Sequence, residues 1–331
     1  MNNTKTQETK LNLAKKATAF TVISVLMVSV FAGNLMTMAM ADTGNGTSAN
    51  TAKDDKQAAR QALRQTLAQD QTAYRQATQN ADLVYKQAVQ SADLAHKQAV
   101  QDANNAYNQA VNLARTAYNT AVNGAHGNAA TIGAAMATRD QAIATAEAGK
   151  TNTIVTADVT HDKAVYDALA THQTTVYGAL ATRDGADGTA QSTFYTATGN
   201  STLATRAQAV GQAHAAEDNA ILQARETRIT AVETADVTKD QAIGSAQTAY
   251  ITAESSAKVA LDNSYTKDVK AWNLALESYW NSVAPLVQTE DSAIATANAN
   301  DVSATGSADA ARDQAIEKAY ATMYGAIAAA S

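Results

Sequence analysis

Residues 81–124 repeat one 11-residue sequence four times: ADLVYKQAVQS, ADLAHKQAVQD, ANNAYNQAVNL and ARTAYNTAVNG. One aromatic or histidine side chain recurs every eleven residues through this stretch and just before it, at Tyr74, Tyr85, His96, Tyr107 and Tyr118. Eleven residues over three turns is about 3.67 residues per turn, slightly more than a straight α-helix has. A face with this period stays against a partner only if the helices wind around each other in a right-handed sense. The stretch therefore predicts long α-helices that pack on one another.

After Gly124, Gly127 and Gly133 the 11-residue repeat continues with other residue types. One position of the repeat is now threonine, as at Thr160 and Thr171. A 22-residue spacing also links aspartates, in the sets Asp140, Asp162 and Asp184; Asp218, Asp240 and Asp262; and Asp291 and Asp313. Repetition at a fixed period is typical of arrays built by duplication. We therefore predict an all-α fold in which long helices with 11- and 22-residue repeats form an elongated coiled coil or an antiparallel helical bundle.

The apolar face of each repeat consists mainly of alanine and threonine. Small side chains let two helix backbones approach closely, although each buried methyl contributes only about 0.8 kcal/mol. We interpret this face as a seam between helices. The alanines expected in the seam are Ala88, Ala92, Ala99, Ala103, Ala110, Ala114, Ala142, Ala164, Ala231 and Ala242.

Residues 1–41 have the pattern of an export signal. Four lysines precede an uncharged segment, and the segment ends in Ala39-Met40-Ala41, a small-x-small sequence that a signal peptidase accepts. An uncleaved membrane anchor is the alternative, because 25 uncharged residues are long enough to span a bilayer. Asn34 and the small-residue ending favour cleavage. We therefore expect an exported protein that is secreted, attached to the cell surface or periplasmic.

Glycine, proline and polar clusters suggest where the helices end. We expect a kink or turn at Pro285, because proline removes one helical hydrogen bond. The predicted segments are a signal peptide (1–41), a disordered linker (42–50), a first helix (51–123), a glycine-rich break (124–137), Thr/Ala helices (138–284) with a break near 184–201, and a C-terminal helix after the proline (285–331).

Composition and charge exclude several functions. The formal net charge is −6, and four lysines and one glutamate in residues 1–41 leave the remainder at −9, which argues against nucleic-acid binding. The chain has no cysteine and none of the common catalytic motifs. His161 and His172 lie about 16 Å apart along a helix, too far to share a metal ion. We predict a non-enzymatic protein with no catalytic residues, no metal site and no cofactor.

The largest apolar cluster contains both tryptophans of the chain. It follows helical spacing and has two interpretations, a docking patch or a local core where helices cross near Pro285. Its members are Trp272, Leu276, Tyr279, Trp280 and Val283, with Leu274, Leu286 and Val287 nearby.

Threonine followed by alanine at i+4 and i+8 recurs at Thr138, Thr160 and Thr182, and Thr171 continues the 11-residue spacing. This pattern resembles the alanine-rich type I antifreeze proteins of fish, and the resemblance implies that Thr138, Thr160, Thr171 and Thr182 form an ice-binding stripe. Valine, leucine and arginine on the flank depart from that family. The chain is also similar in composition to late-embryogenesis proteins, and its paired repeats resemble those of exchangeable apolipoproteins. Its architecture looks most like the right-handed coiled-coil stalks of microbial surface proteins.

The sequence thus favours an exported structural or spacer protein that acts by helix–helix association at or outside the cell envelope. Ice binding through the threonine stripe and amphipathic lipid-binding or stress-protective activity are the alternatives. The expected partner is a second copy of the chain or other envelope or surface helices. A membrane is expected as a partner only if the signal segment stays uncleaved.

Overall fold

A computed structural model of the chain describes residues 48–331, and the predicted signal peptide, residues 1–41, lies outside them. This part of the chain is all-α, without strands, as the repeats predict. Four long helices follow one another through short turns: α1 (Ser48–Gly124), α2 (Ala129–Ala197), α3 (Ser201–Asn263) and α4 (Val269–Ala329). In residues 48–331 no helix has the length and apolarity needed to cross a membrane.

Consecutive helices pack antiparallel, and all the packing described below lies within residues 55–331. α1 lies against α2, α2 against α3 and α3 against α4. Polar contacts that join the three pairs are His96–Asp158 between α1 and α2, Thr248–Asn152 and Thr174–Glu226 between α2 and α3, and Arg228–Asp309 and Lys239–Asp301 between α3 and α4. α2 and α3 therefore each have a neighbour on both sides.

Glycine allows the backbones of α2 and α3 to approach closely. A Cβ atom on Gly188 would lie 2.6 Å from the Cα of Gly211, and one on Gly211 would lie 2.6 Å from the Cα of Gly188. A Cβ atom on Gly133 would lie 2.5 Å from the carbonyl oxygen of Asp262. The breaks expected at 124–137 and 184–201 are therefore shorter in the structure than in the sequence-based prediction. Gly133 and the 184–188 segment lie inside α2, because their glycines serve close packing rather than a turn.

The first two turns are short, and an asparagine caps the helix that follows each of them. Between α1 and α2, His126 and Gly127 adopt positive φ, and the Asn128 side chain accepts a hydrogen bond from the Thr131 N–H. Between α2 and α3, Gly199 has φ +80° and Asn200 caps α3 by accepting from the Leu203 N–H at 3.0 Å.

Two other boundaries differ from the sequence-based expectation. α1 begins at Ser48, so the last three residues of the expected linker 42–50 are helical. Pro285 lies inside α4, not at its start. The carbonyl of Asn281 loses its helical donor there, but both residues are exposed, so water can replace the lost hydrogen bond. The chain turns instead before Asp268, whose carboxylate caps α4 by accepting from the Lys270 N–H.

The close approach of α2 and α3 predicts that a methyl group at Gly188 destabilises the fold. We expect Gly188→Ala to lower the free energy of unfolding by about 1–3 kcal/mol, because the methyl group meets backbone atoms that cannot move aside. Urea unfolding followed by circular dichroism measures this change.

The matched control is Gly178→Ala in the same helix, where nothing lies within 4 Å of the added carbon. That substitution should raise the stability by roughly 0.5–1 kcal/mol, because alanine favours a helix interior over glycine. Equal effects of the two substitutions would contradict the packing described for α2 and α3.

Candidate functional site: polar rungs and small-residue faces between the helices

Five side-chain rungs connect α1 to α2. In each rung a tyrosine or histidine ring of α1 lies against a cationic or histidine side chain of α2, at 4.4–5.6 Å from the ring centroid. The rungs are Tyr74–Arg183, Tyr85–His172, His96–His161, Tyr107–Lys150 and Tyr118–Arg139. Each step of eleven residues forward on α1 is matched by eleven residues backward on α2. The repeated aromatic position therefore fixes the register of this helix pair.

Histidine rungs are reinforced by aspartates on both helices. His161 bonds Asp93 of α1 at 2.8 Å and Asp162 at 3.0 Å, while His96 bonds Asp158 at 2.8 Å. Burial opposes protonation of His161, but the hydrogen bonds and charges of Asp162 and Asp93 outweigh it and raise the pKa of this imidazole. The protonated ring is therefore favoured between its two carboxylates.

His172 is similarly bonded to Asp82 of α1, at 2.7 Å. His161 and His172 thus occupy the rung position that Arg139, Lys150 and Arg183 hold elsewhere on α2. Within residues 48–331, no group of three or more histidine, aspartate or glutamate side chains is arranged to hold a metal ion.

Three of the α2 residues that form rungs are followed directly by an aspartate, at a spacing of 22 residues. These pairs are Arg139-Asp140, His161-Asp162 and Arg183-Asp184, and in each pair the two side chains bond to each other. The first side chain faces α1, while Asp140 and Asp184 meet α3. The 22-residue spacing of aspartates thus marks the positions at which α2 makes polar contacts with both α1 and α3.

Two of these aspartates meet aspartates of α3 as carboxyl–carboxyl pairs. Asp140 shares a hydrogen bond with Asp262, and Lys258 bridges the two at 3.1 Å and 2.5 Å. Asp162 and Asp240 occupy the next step of the same antiparallel register, and Asp184 hydrogen-bonds Asp218. The sequence shows the 22-residue sets, but it does not show that one set lies opposite the other.

The two pairs differ in how their charge is balanced. Burial opposes ionisation of Asp140, but hydrogen bonds, led by those of Arg139, Asp262 and Lys258, hold its pKa at about 2. Asp262 is fully buried, and burial together with Asp140 raises its pKa. Lys258 contacts both carboxyls and so balances negative charge in this pair.

In the Asp184–Asp218 pair a shared proton takes the place of the bridging lysine. Asp218 is 7% exposed, and burial, with the charges of Asp184 and Glu217, raises its pKa to about 8. Its Oδ2 atom is buried with no hydrogen-bond donor, as expected for an oxygen that itself carries the shared proton. Burial also raises the pKa of nearby Asp187 to about 6, despite Arg183. Asp187 meets Asp70 of α1, so a raised carboxyl pKa occurs on both sides of this end of α2.

The expected seam alanines fall into three groups. Ala92, Ala103 and Ala114 are buried on α1, one repeat apart. Half-buried members are Ala88, Ala99, Ala110, Ala164 and Ala231. Ala142 and Ala242 are exposed, so they lie outside the contacts between the helices of residues 55–331. α2 and α3 bury other alanines than the expected ones, together with glycines and aspartates. These buried alanines are Ala135, Ala137, Ala157 and Ala181 of α2 and Ala204, Ala207, Ala213 and Ala224 of α3.

All four threonines of the expected stripe are exposed on α2. Each hydroxyl donates to the carbonyl oxygen four residues earlier, which orients the side chain. These residues are Thr138, Thr160, Thr171 and Thr182. Thr227 and Thr238 of α3 are also exposed. The outer faces of α2 and α3 therefore carry two rows of threonine.

The apolar cluster of α4 is divided between core and surface. Val283 is buried, and Tyr279 donates a hydrogen bond to Glu254 of α3. Leu276 is half-buried, and Trp272 packs edge-on against Tyr265. Trp280, in contrast, is 62% exposed. The cluster therefore has a core side and an exposed side.

Two shallow grooves follow the helix pairs. The groove between α1 and α2, about 550 Å³, is lined mainly by alanine and threonine beside His96 and His161, and the groove between α3 and α4, about 520 Å³, mainly by alanine. The chain matches no protein-family model and is similar to no curated protein and no solved structure in the comparisons made. Inference about function therefore depends on the geometry alone.

The shared proton of Asp184 and Asp218 predicts a pH-dependent stability. The folded-state pKa of Asp218, about 8, is above its ordinary value of 3.8, so its contribution is fully present below pH 3.8 and is lost as the pH rises through about 8. We expect the free energy of unfolding to fall by a few kcal/mol over this range.

Asp218→Asn should flatten this slope, because the amide donates to Asp184 at every pH. Urea unfolding from pH 5 to pH 9 measures it, and the variant should be more stable than the wild-type chain at pH 9. The control Asp167→Asn changes an exposed carboxylate of α2 and should keep the wild-type slope. An unchanged slope in Asp218→Asn would show that the pair shares no proton.

Proposed function

We propose that this chain is an exported, non-enzymatic structural protein that acts as a spacer at or outside the cell envelope through helix–helix association. The observation that carries the proposal is the way in which polar side chains are paired between the helices. Histidine, aspartate, lysine and arginine are paired in rungs along the helices instead of converging on one cavity. Such an arrangement sets the register of helices rather than the position of a substrate.

Helix length supports the same proposal. The four helices contain 77, 69, 63 and 61 residues, so each is on the order of 90–115 Å long. Each helix pairs with its neighbour by repeating a few contacts, which gives a large span from a small set of residue types. The basic and apolar segment in residues 1–41 motivates the export part of the proposal.

Mass spectrometry of the native protein, combined with light scattering, tests this function. We expect the native N-terminus at Asp42, in the culture fluid or the cell-surface fraction, and a mass that rises with protein concentration. An N-terminus at Met1 in the membrane fraction would contradict export. A constant monomer mass at all concentrations would contradict association.

Ice binding is a second candidate, and the two exposed threonine rows favour it. Thr160 and Thr171 belong to an exposed row on α2 and Thr227 and Thr238 to one on α3, and successive members of a row lie about 16.5 Å apart. Their spacing resembles that of the alanine-rich antifreeze proteins, in which the same residue types contact ice. The threonines here are accessible to such a surface.

Ice binding predicts thermal hysteresis and faceted ice crystals in a solution of the full chain. Thr171→Lys should abolish both, because a long charged side chain interrupts the threonine row of α2. Thr116→Lys, at an exposed threonine of α1, is the matched control and should leave the hysteresis unchanged. Absence of hysteresis in the wild-type chain would eliminate this candidate and leave the spacer function.

A further inference from the structure

One face of α4 has exposed apolar side chains that the described residues, 48–331, leave uncovered. Val269 is 71% exposed, Trp280 62% and Val287 41%, and helical spacing places all three on one side of the helix. We name this face the α4 stripe, and it comprises Val269, Leu276, Trp280, Ala284 and Val287. Tyr279 and Val283 lie on the neighbouring face, which packs toward α3. Tryptophan is the residue type most enriched at binding hot spots.

The α4 stripe has the same spacing in both directions from Trp280. Steps of four, three and four residues lead back from Trp280 to Val269 and forward to Asp291. Two such helices placed antiparallel would therefore bring Trp280 against Trp280 of the second copy. In the same register the larger Leu276 would face the small Ala284. An arrangement in which one surface binds its own copy is the geometry of a two-fold symmetric interface.

Charges beside the stripe are complementary in this register. Lys270 is exposed at one end and Asp291 at the other, ten and eleven residues from Trp280. In an antiparallel pair, Lys270 of each copy lies beside Asp291 of the other copy. In a parallel pair, lysine would meet lysine and aspartate would meet aspartate, which is unfavourable. The charges therefore favour a second copy in the antiparallel orientation.

We propose that two copies of this chain associate through the α4 stripe as an antiparallel, two-fold symmetric pair centred on Trp280. This inference rests on the proposed function, since it identifies the surface through which helix–helix association occurs. The paired segments span about 33 Å, and the apolar area comes mainly from Trp280 and from Leu276 against Ala284. Val269 and Val287 face the polar residues Asp291 and Asn273 of the other copy. An interface of this size fits association that depends on protein concentration rather than an obligate dimer.

Cysteine substitution tests the orientation, because the chain has no cysteine of its own. Trp280→Cys in the full chain should form a disulfide-linked dimer on mild oxidation, since residue 280 lies on the two-fold axis. Val269→Cys should form no such dimer, because the two cysteines at position 269 would lie about 33 Å apart in the pair. Combining Val269→Cys with Asp291→Cys should restore the cross-link. Equal cross-linking of Val269→Cys and Trp280→Cys would overturn the antiparallel arrangement.

Charge reversal tests the same pair with Trp280 in place. Lys270→Glu and Asp291→Lys should each weaken the dimer, with a dissociation constant roughly 2–10-fold higher by analytical ultracentrifugation, because each creates like-charge contacts. The two reversals together should restore the wild-type constant. Failure of the double reversal to recover affinity would contradict the proposed contacts.

Trp280→Asp should raise the dissociation constant more than tenfold. Leu274→Asp is the matched control, because Leu274 is 60% exposed but lies on another side of α4, and it should leave the constant unchanged. Association that survives Trp280→Asp would overturn the α4 interface while leaving the spacer function intact. A wild-type chain that stays monomeric at all concentrations would overturn both.

Discussion

The close approach of α2 to α3 at Gly188 and Gly211 is the contact on which the other packing depends. A core of alanine gains little from burial, so helices built from it are stabilised only if many small contacts are made along their whole length. Glycine at the contact removes the last side-chain atoms between the backbones and brings dispersion contacts to both helices. This separation in turn decides which polar groups can meet across the seam, because short aspartate side chains reach each other only when the backbones are close.

Small side chains hold helices together without specifying how they align, since one alanine resembles the next. The larger side chains supply the alignment. The tyrosine and histidine rungs fix α1 against α2, and the aspartate pairs fix α2 against α3. Burying two carboxyls together costs free energy unless one is protonated or a cation balances the charge. Both solutions occur here, with a proton between Asp184 and Asp218 and with Lys258 beside Asp140 and Asp262.

The all-α fold and its long helices followed from periodicity, because a spacing of 3.67 residues per turn matches an α-helix and is far from the two-residue period of a strand. Boundaries were harder to predict, since the same residue type serves two purposes. Gly133 and Gly188 resembled breaks but serve close packing, and Pro285 resembled a helix start but lies at an exposed position where a lost hydrogen bond is tolerated. The partner of each rung could not be predicted, because the 11-residue repeat permits many antiparallel registers, and the four-residue turn between α1 and α2 selects one of them.

The paired rungs also limit how the length of the protein can change during evolution. Removing one 11-residue repeat from both α1 and α2 would leave every remaining rung of that pair matched, but it would leave the α2 aspartates out of step with those of α3. Only a change of 22 residues, made together in each paired helix, preserves both sets of contacts. Natural variants of this architecture should therefore differ in length by multiples of about 33 Å.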